Sequence, residues 1–551
     1  MDLRRKVFIA AAFTSLLFTL TNAAHAAPGD LDPTFGTSGI ALADYGGVYN
    51  NGEILAVQPD GKILVCGEAA LPGSAAVGVA RLNPDGSLDT SFGQGGRILA
   101  HLFPRHISNV EDLALQPDGK IVVGGSVDVD PGPAFNYEFW LLRLNPDGSH
   151  DLGFGTGGVV THGLFSSSFD RLAALAIQAD GRILAAGGVE RTPDEDFQFV
   201  VVRYLPDGRL DPDFGTGGKV ITDTMYGDSL LRDIALQPDG KIVGAGLSLF
   251  REGALVRYDS QGRLDPSFGG DGIVFSTASP SLSGDPQAVV VQPDGKIVAG
   301  GIAFPGDFAL WRFLPDGSMD PEFGVGGRAL TAFPGGHDMI RALALQADGG
   351  IVAVGQTHYD QTPLSDFALA RYTSDGQLDP DFGNGGTVVT DLDLYDFATD
   401  VVSLPDGRLV VTGGVHGPPS KARVLRYLGP ELAVNEPPVI AGGAVSPGVL
   451  WPANHKMIDV RVSYTVTDDR DPAAAVQCSL SVASNEPVRG TGDGNTAPDW
   501  QVVDSHRVFL RAERSGSGNG RTYTITIACT DTAGASSTHK VKVQVPKNRG
   551  K

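Results

Sequence analysis

Leu31-Asp32-Pro33-Thr34-Phe35-Gly36, Gln58-Pro59-Asp60-Gly61-Lys62-Ile63 and Arg81-Leu82-Asn83-Pro84-Asp85-Gly86 decide the fold, because all three phrases return down the chain in the same order. The first recurs, with variations, from Leu88, His150, Leu210, Leu264, Met319 and Leu378, at spacings of 57, 62, 60, 54, 55 and 59 residues. The second places its Asp again at 118, 180, 239, 294, 348 and 406, and the third its Arg at 143, 203, 257, 312, 371 and 426. The three counts agree at seven. Self-similarity of this kind marks an architecture whose units cannot bury their apolar faces alone and stack to form a core.

The second copy shows what one unit contains. Arg97-Ile98-Leu99-Ala100, Val110 to Leu115, Ile121 to Val123 and Phe139 to Leu144 are strand-sized apolar or alternating runs. Between the second and third, Pro117-Asp118-Gly119 supplies a fixed φ, a side-chain acceptor and tolerance of positive φ, the needs of a tight turn. Four strands per unit and seven units favour radial closure over a β-helix or open solenoid, because closure leaves only short, protected edges. The expectation for residues 27–430 is a seven-bladed all-β propeller.

These phrases resemble the delta-60 repeat family of bacterial exported proteins, over about 400 residues. The copies depart from the pattern at the edges: Ala179 and Ala347 replace Pro, Gly350 replaces Lys, Ser260-Gln261-Gly262 replaces Pro-Asp-Gly, and the last copy ends at Leu428-Gly429-Pro430. The resemblance implies a propeller-like fold and export, and it brings no activity with it.

Recurrence in every unit assigns the seven Phe (35, 92, 154, 214, 268, 323, 382) and the recurrent Arg to packing and buried polar contact. The recurrent Asp of the first phrase is assigned to turn capping with an Arg partner. In a meander, successive connections alternate between two faces, so the repeated turns share one face and the variable segments share the other. Irregular loops on a repetitive scaffold are where binding sits. Tyr45, Tyr49, Phe103, His106, Tyr226, Phe304, His337, Tyr359 and Tyr395 are the binding candidates there, suited to stacking on sugar rings or docking a protein.

No catalytic residue is assigned. Gly227-Asp228-Ser229-Leu230 matches an esterase nucleophile block, but the only Asp-x-x-His, Asp147 to His150, lies upstream in a repeat turn. No His-x-His, His-Glu-x-x-His or Gly-x-Ser-x-Gly spacing occurs.

Residues 1–26 carry Arg4, Arg5 and Lys6, an apolar run from Val7 to Leu20 and Ala24-His25-Ala26, which reads as a signal peptide. Export to the periplasm, cell surface or medium is expected. With 42 Lys+Arg against 64 Asp+Glu, the net charge of −22 argues against nucleic acid as a partner, and no later run is long enough to insert in a membrane. A monomer is expected.

After residues 431–440, a linker, the repeat gives way to short alternating runs at 441–551 that indicate an immunoglobulin-like β-sandwich. Leu450-Trp451-Pro452-Ala453-Asn454-His455-Lys456-Met457, Ser484-Asn485-Glu486-Pro487, Ala497-Pro498-Asp499-Trp500 and Leu510-Arg511-Ala512-Glu513-Arg514-Ser515-Gly516 resemble a hyalin-repeat-type domain of bacterial secreted proteins. Cys478 and Cys529, 51 residues apart on two predicted strands, are compatible with an inter-sheet disulfide, leaving Cys66 as a buried thiol. No cofactor is expected other than calcium, for which Asp468, Asp469, Asp471 and Asp531 are the weak metal candidates. The expected function is that of an exported, non-enzymatic binding or scaffold protein whose variable face takes a glycan, peptide or protein. The alternatives are a propeller hydrolase or lyase acting on extracellular polysaccharide, and a structural cell-surface protein.

Overall fold

The computed structural model describes residues 26–548 apart from 48, 51–53, 72–73, 103–107, 130–135, 166–167, 191–195, 225–226, 249–251, 276–283, 305, 359–364, 393–394, 416–420, 431–436, 469–474, 487–497, 516–518 and 532–534. The described residues form strands and no helix, and contacts divide the chain into Met1–Leu432 and Ala433–Lys551.

The first unit is a succession of antiparallel meanders, most of them separate four-stranded sheets. In one, Leu230–Leu236, Ile242–Ser248, Glu252–Tyr258 and Ile273–Phe275 pair in sequence order. Two neighbouring meanders are joined into one eight-stranded sheet by a single parallel pairing, Phe169 with Tyr137. The sequence unit and the sheet are offset by one strand. Arg97–Ala100, which follows the second copy of the first phrase, pairs back onto Ser74–Leu82 as the outermost strand of the preceding sheet. The offset has a consequence at the ends: Ile40–Ala43 pairs with Ala422–Tyr427, so the start of the chain completes the sheet built from its last repeat.

Packing follows from the alternation within each strand. Second and third strands such as Ile297–Ala303 and Asp307–Phe313 are almost continuously buried because neighbouring sheets cover both of their faces. Apolar clusters accordingly draw from adjacent repeats; Leu64, Val77 and Val79 share one with Val110, Ile121 and Trp140. The seven recurrent Phe are all fully buried. Gly86 explains why the turns demand glycine: its φ is +85°, and a Cβ there would lie 3.0 Å from the Phe35 ring and 2.9 Å from the Gly36 amide.

The second unit holds two antiparallel sheets, one of four strands (Val439–Ser446, Met457–Thr467, Arg507–Arg511, Trp500–Asp504) and one of three (Gln477–Ser484, Gly520–Thr530, Ser536–Pro546). They share a core that includes Val460, Val508, Leu510, Tyr523, Ile525 and Val543. The Cys478–Cys529 disulfide is present, but it lies within a sheet. The two residues face each other on adjacent strands with Cα atoms 4.1 Å apart. The expectation of an inter-sheet bridge is therefore corrected: 51 residues of separation are used to bring two neighbouring strands of one sheet together.

Candidate functional site on the variable loop edge

The two ends of each repeat sheet differ in chemistry. At the turn end, Arg81 Nε lies 2.7 Å from Asp89, its Nη1 donates to the Pro146 carbonyl of the next repeat at 2.6 Å, and its guanidinium sits 4.5 Å above the Phe92 ring. Lys62 approaches the same carboxylate at 3.1 Å. The arrangement returns as Arg426–Asp32, Arg203–Asp211, Arg257–Asp265 and Arg312–Asp320, at 2.8 to 2.9 Å. Arg143–Asp151 and Arg371–Asp379 repeat the pairing. Asp32 also caps its own turn, accepting from the Thr34 amide at 2.9 Å and hydroxyl at 2.6 Å. Burial works to raise its pKa, yet the Thr34 bonds and the Arg426 charge outweigh that and hold it at about 2.

Midway along the innermost strands, three further carboxylates act as staples. Each innermost strand of the second to seventh repeats carries a one-residue bulge, as between Leu231 and Asp233. The Asp after the bulge reaches the next repeat: Asp112 accepts the Leu175 amide at 2.5 Å, Asp233 that of Val289 at 2.7 Å and Asp400 that of Leu55 at 2.9 Å. Burial raises all three pKa values, to about 6 for Asp233 and about 7 for Asp400. Every one of these groups is also bonded to an amide of its own strand, so they tie repeats together.

At the loop end carboxylates face carboxylates. Acids at or near the strand ends of one sheet stand beside acids near the start of the innermost strand of the next. Asp170, at about 6, is raised by burial and by Glu138; Asp338 by burial and Asp307; Glu190 by burial, Asp228 and Asp196. The densest case joins Asp366, Asp391 and Asp396, whose ligand oxygens lie within 4.8 Å of one another. Asp366 is raised by burial and by Asp391, against the opposing influence of His358. Three carboxylates at this spacing supply the hard oxygen donors a divalent cation needs. The neighbouring junction shows what neutralisation looks like: Lys421 replaces Asp366 at the corresponding position and lies 2.8 Å from Asp44, which Arg97 also approaches at 3.8 Å.

The sequence candidates scatter over this end. Tyr45 is fully buried, wedged against Gly78, so as a solvent-facing stacking residue it is corrected: its ring fills the space a Cβ at Gly78 would take. Phe304, His337 and Tyr395 are half-buried; Tyr395 meets Phe397 edge-on at 5.9 Å. His337 adopts a φ of +62° and His358 one of +51°, a backbone region sparsely used by non-glycine residues. Tyr49 lies on the strand Tyr49–Asn50, paired with Ala69 and Ala70. Phe103, His106, Tyr226 and Tyr359 lie outside the described residues, as do Asp469 and Asp471. Asp531 accepts the Ala535 amide at 2.8 Å and closes a hairpin, the turn role that competes with metal binding. Ser229 of the esterase-like block is buried, bonded to Thr224 Oγ1 at 2.6 Å and the Gly227 carbonyl at 2.7 Å. Sequence reasoning missed Asp338, His358, Asp366, Asp391 and Asp396. Aligning the copies on their Pro-Asp-Gly turns would have shown Asp170, Asp338 and Asp396 at one position.

In the second unit the distinctive strings converge on one buried charge. Arg521, 1% exposed, lies 2.9 Å from Asp499, 3.2 Å from Glu513 and 3.5 Å from Glu486, while His455 Nδ1 is 3.1 Å from Glu513. Burial and the neighbouring Glu513 push Asp499 upward.

Six of the repeats match the family model described as "Domain of unknown function (DUF5122) beta-propeller", at residues 58–92, 116–154, 178–214, 237–268, 292–323 and 346–382. Among solved structures the chain is similar to the polysaccharide lyase Uly1, at 12% identity over 72% of this chain and 93% of that one, with a TM-score of 0.38. It is also similar to the intramolecular trans-sialidase from Ruminococcus gnavus, in complex with oseltamivir carboxylate, at 11% identity over 72% and 98% and a TM-score of 0.33. No curated protein matches.

Proposed function

We propose that this chain is an exported, non-enzymatic binding or scaffold protein: a seven-bladed propeller of the delta-60 type whose variable face takes a glycan, peptide or protein, followed by an immunoglobulin-like, hyalin-repeat-type sandwich. The observation that carries the reading is the contrast between the two ends of the repeat sheets. The first-phrase carboxylates of the turn end are matched by Arg or Lys, whereas at the loop end Asp338 is set against Asp307, and Asp366 converges with Asp391 and Asp396 as the oxygens a bridging cation would use. The test is a glycan and protein binding screen of residues 27–551 with and without Ca²⁺. Binding retained after deletion of residues 434–551 supports the reading; binding by that segment alone overturns it.

A second reading, a hydrolase or lyase acting on polysaccharide, is favoured by the convergence of Asp366, Asp391 and Asp396 near His358. Turnover of a polysaccharide panel that disappears in Asp366→Asn would replace the binding reading with this one.

A further inference from the structure

A cleft of about 660 Å³ runs along the outer edge of the first sheet, between its outermost strand Arg97–Ala100 and the turn Asp147-Gly148-Ser149 that follows the third strand of the second sheet. Its walls are fixed by backbone. The Gly93 amide donates to the Asp147 carbonyl at 2.8 Å, and a Cβ at Gly148 would lie 2.8 Å from Ile98 Cδ1. A second cleft, of about 510 Å³, occupies the same position beside the outermost strand Arg328–Thr331. The groove is thus a property of the repeat, whereas its chemistry is not. Gln94 and His150 line the first cleft where Val325 and Leu378 line the second. At the position of His150 the other six copies carry Leu31, Leu88, Leu210, Leu264, Met319 and Leu378.

Four side chains give the first cleft a mixed set of donors and acceptors. His150 is half-buried and its Nδ1 donates to the Gly157 carbonyl at 3.1 Å, which leaves Nε2 of the neutral ring as an acceptor. Asp147 Oδ1 accepts the Ser149 amide at 2.9 Å and its hydroxyl at 2.7 Å, bonds that hold the carboxyl pKa below its ordinary value. Among the described residues none donates to Asp147 Oδ2. The Arg97 side chain is 40% exposed and reaches Asp44 only at 3.8 Å, while Lys421 already holds that carboxylate at 2.8 Å. Gln94 is exposed and brings an amide that both donates and accepts. Ile98 and Leu99, both half-buried, add an apolar strip along the strand.

We infer that this cleft is a binding site for a short oligosaccharide, whose hydroxyls donate to Asp147 and His150 and accept from Arg97 and Gln94. A carboxylate or phosphate ligand has no proton for Asp147 or His150, and an ammonium ligand cannot accept from Arg97. An apolar ligand would strip all four groups of water without replacing a bond. Hydroxyls donate and accept at once, and sugar rings carry them around apolar faces that suit Ile98 and Leu99. The volume falls within the range of ligand sites. An extended peptide would bind by adding a strand, but this edge has four residues and its Arg97 carbonyl is already taken by the Gln94 amide at 2.8 Å. The site uses none of the loop-end acid pairs, so it adds to the reading above and does not rest on it.

The test is calorimetric titration of the full chain with maltotetraose, cellotetraose and mannotetraose, and with tetraglycine as the peptide probe, beside Gln94→Val, His150→Leu and the double variant. Both substitutions install residues that the cleft beside Arg328–Thr331 already uses, so the fold is kept, and an unchanged unfolding temperature checks this. The expected result is that at least one tetrasaccharide binds the parent chain and tetraglycine does not. Each single variant should weaken that binding about tenfold, and the double variant more than either. Failure of all three tetrasaccharides to bind overturns the site, as does binding of tetraglycine alone. Binding undiminished in the double variant also overturns it and puts the saccharide elsewhere, leaving the loop-edge reading of function standing.

Discussion

The two ends of the repeat sheets are built from the same residue type and give it opposite electrostatics. At the turn end Asp320 lies 2.8 Å from Arg312 and 3.0 Å from Lys296, and its pKa is lowered; at the loop end Asp338 is equally buried, is repelled by Asp307, and its pKa is raised. Asp265 sits at about 2 and Asp170 at about 6 for the same reasons. The turn end is repetitive because its polar contacts are what join one repeat to the next. Arg312 bonds Asp320 of its own sheet and the Ser374 carbonyl of the following one. At the loop end neighbouring repeats are joined by backbone bonds such as the Asp338 amide to the Gly306 carbonyl and the Asp396 amide to the Ser365 carbonyl, which do not dictate the side chain, and its acids vary in number and spacing between junctions.

Breaking the turn end should have the largest effect. Arg312→Ala leaves a buried Asp320 with its Arg partner gone and strips the Ser374 carbonyl of its donor, and removing one member of a buried pair costs about 3–5 kcal/mol. Urea unfolding of the chain should show the midpoint falling by a corresponding amount. A loss under about 1 kcal/mol would mean that Lys296 alone sustains the carboxylate and that the two ends are less different than their geometry suggests.

The strands, their turns and the burial of the seven Phe were legible because each rests on local chemistry that repeats: Pro sets φ, Gly tolerates positive φ, and apolar alternation sets the buried face. The offset between sequence unit and sheet was not, since the pairing of Ile40–Ala43 with Ala422–Tyr427 joins residues almost 400 positions apart and has no local signature. The same limit hid the loop-end acids. Asp366 and Asp396 open strands in neighbouring sheets, and neither is notable in its own segment. Tyr45 misled for the converse reason: an aromatic in a variable loop reads as exposed, and only Gly78 on a strand more than thirty residues away shows that it is not. In the second unit, the distinctive strings were recognisable as a set but not as partners, until Arg521 showed that they supply its carboxylates.

Asp170→Asn tests the loop end through pH. Its pKa is raised from 3.8 to about 6 in the folded chain, so the folded state binds the proton more tightly than the unfolded state does. Its contribution to stability is therefore fully present below about 3.8, declines as pH rises toward 6, and is flat above that. Asparagine keeps an acceptor for the Leu164 amide and removes the titration. Unfolding free energy measured from pH 4 to pH 7 should fall by about 1–3 kcal/mol less in Asp170→Asn than in the parent chain. Parallel curves would show that Asp170 ionises freely, as an acid matched by a cation does.

The smallest and most discriminating change is Asp366→Lys, which transplants the Lys421 solution onto the most acidic junction. One of three mutually repelling carboxylates becomes a cation beside the other two, so stability should rise at low ionic strength by up to about 1 kcal/mol. The gain should shrink with added NaCl, because the screening length falls to roughly 3 Å at 1 M. Thermal unfolding at several salt concentrations, with and without Ca²⁺, separates two causes. If repulsion alone governs the junction, the variant is more stable in both conditions. If Asp366, Asp391 and Asp396 hold a cation, Ca²⁺ raises the unfolding temperature of the parent chain and not that of Asp366→Lys, and the order of stability reverses as Ca²⁺ is added. That reversal would show the loop end to be completed by an ion, as the turn end is completed by its arginines.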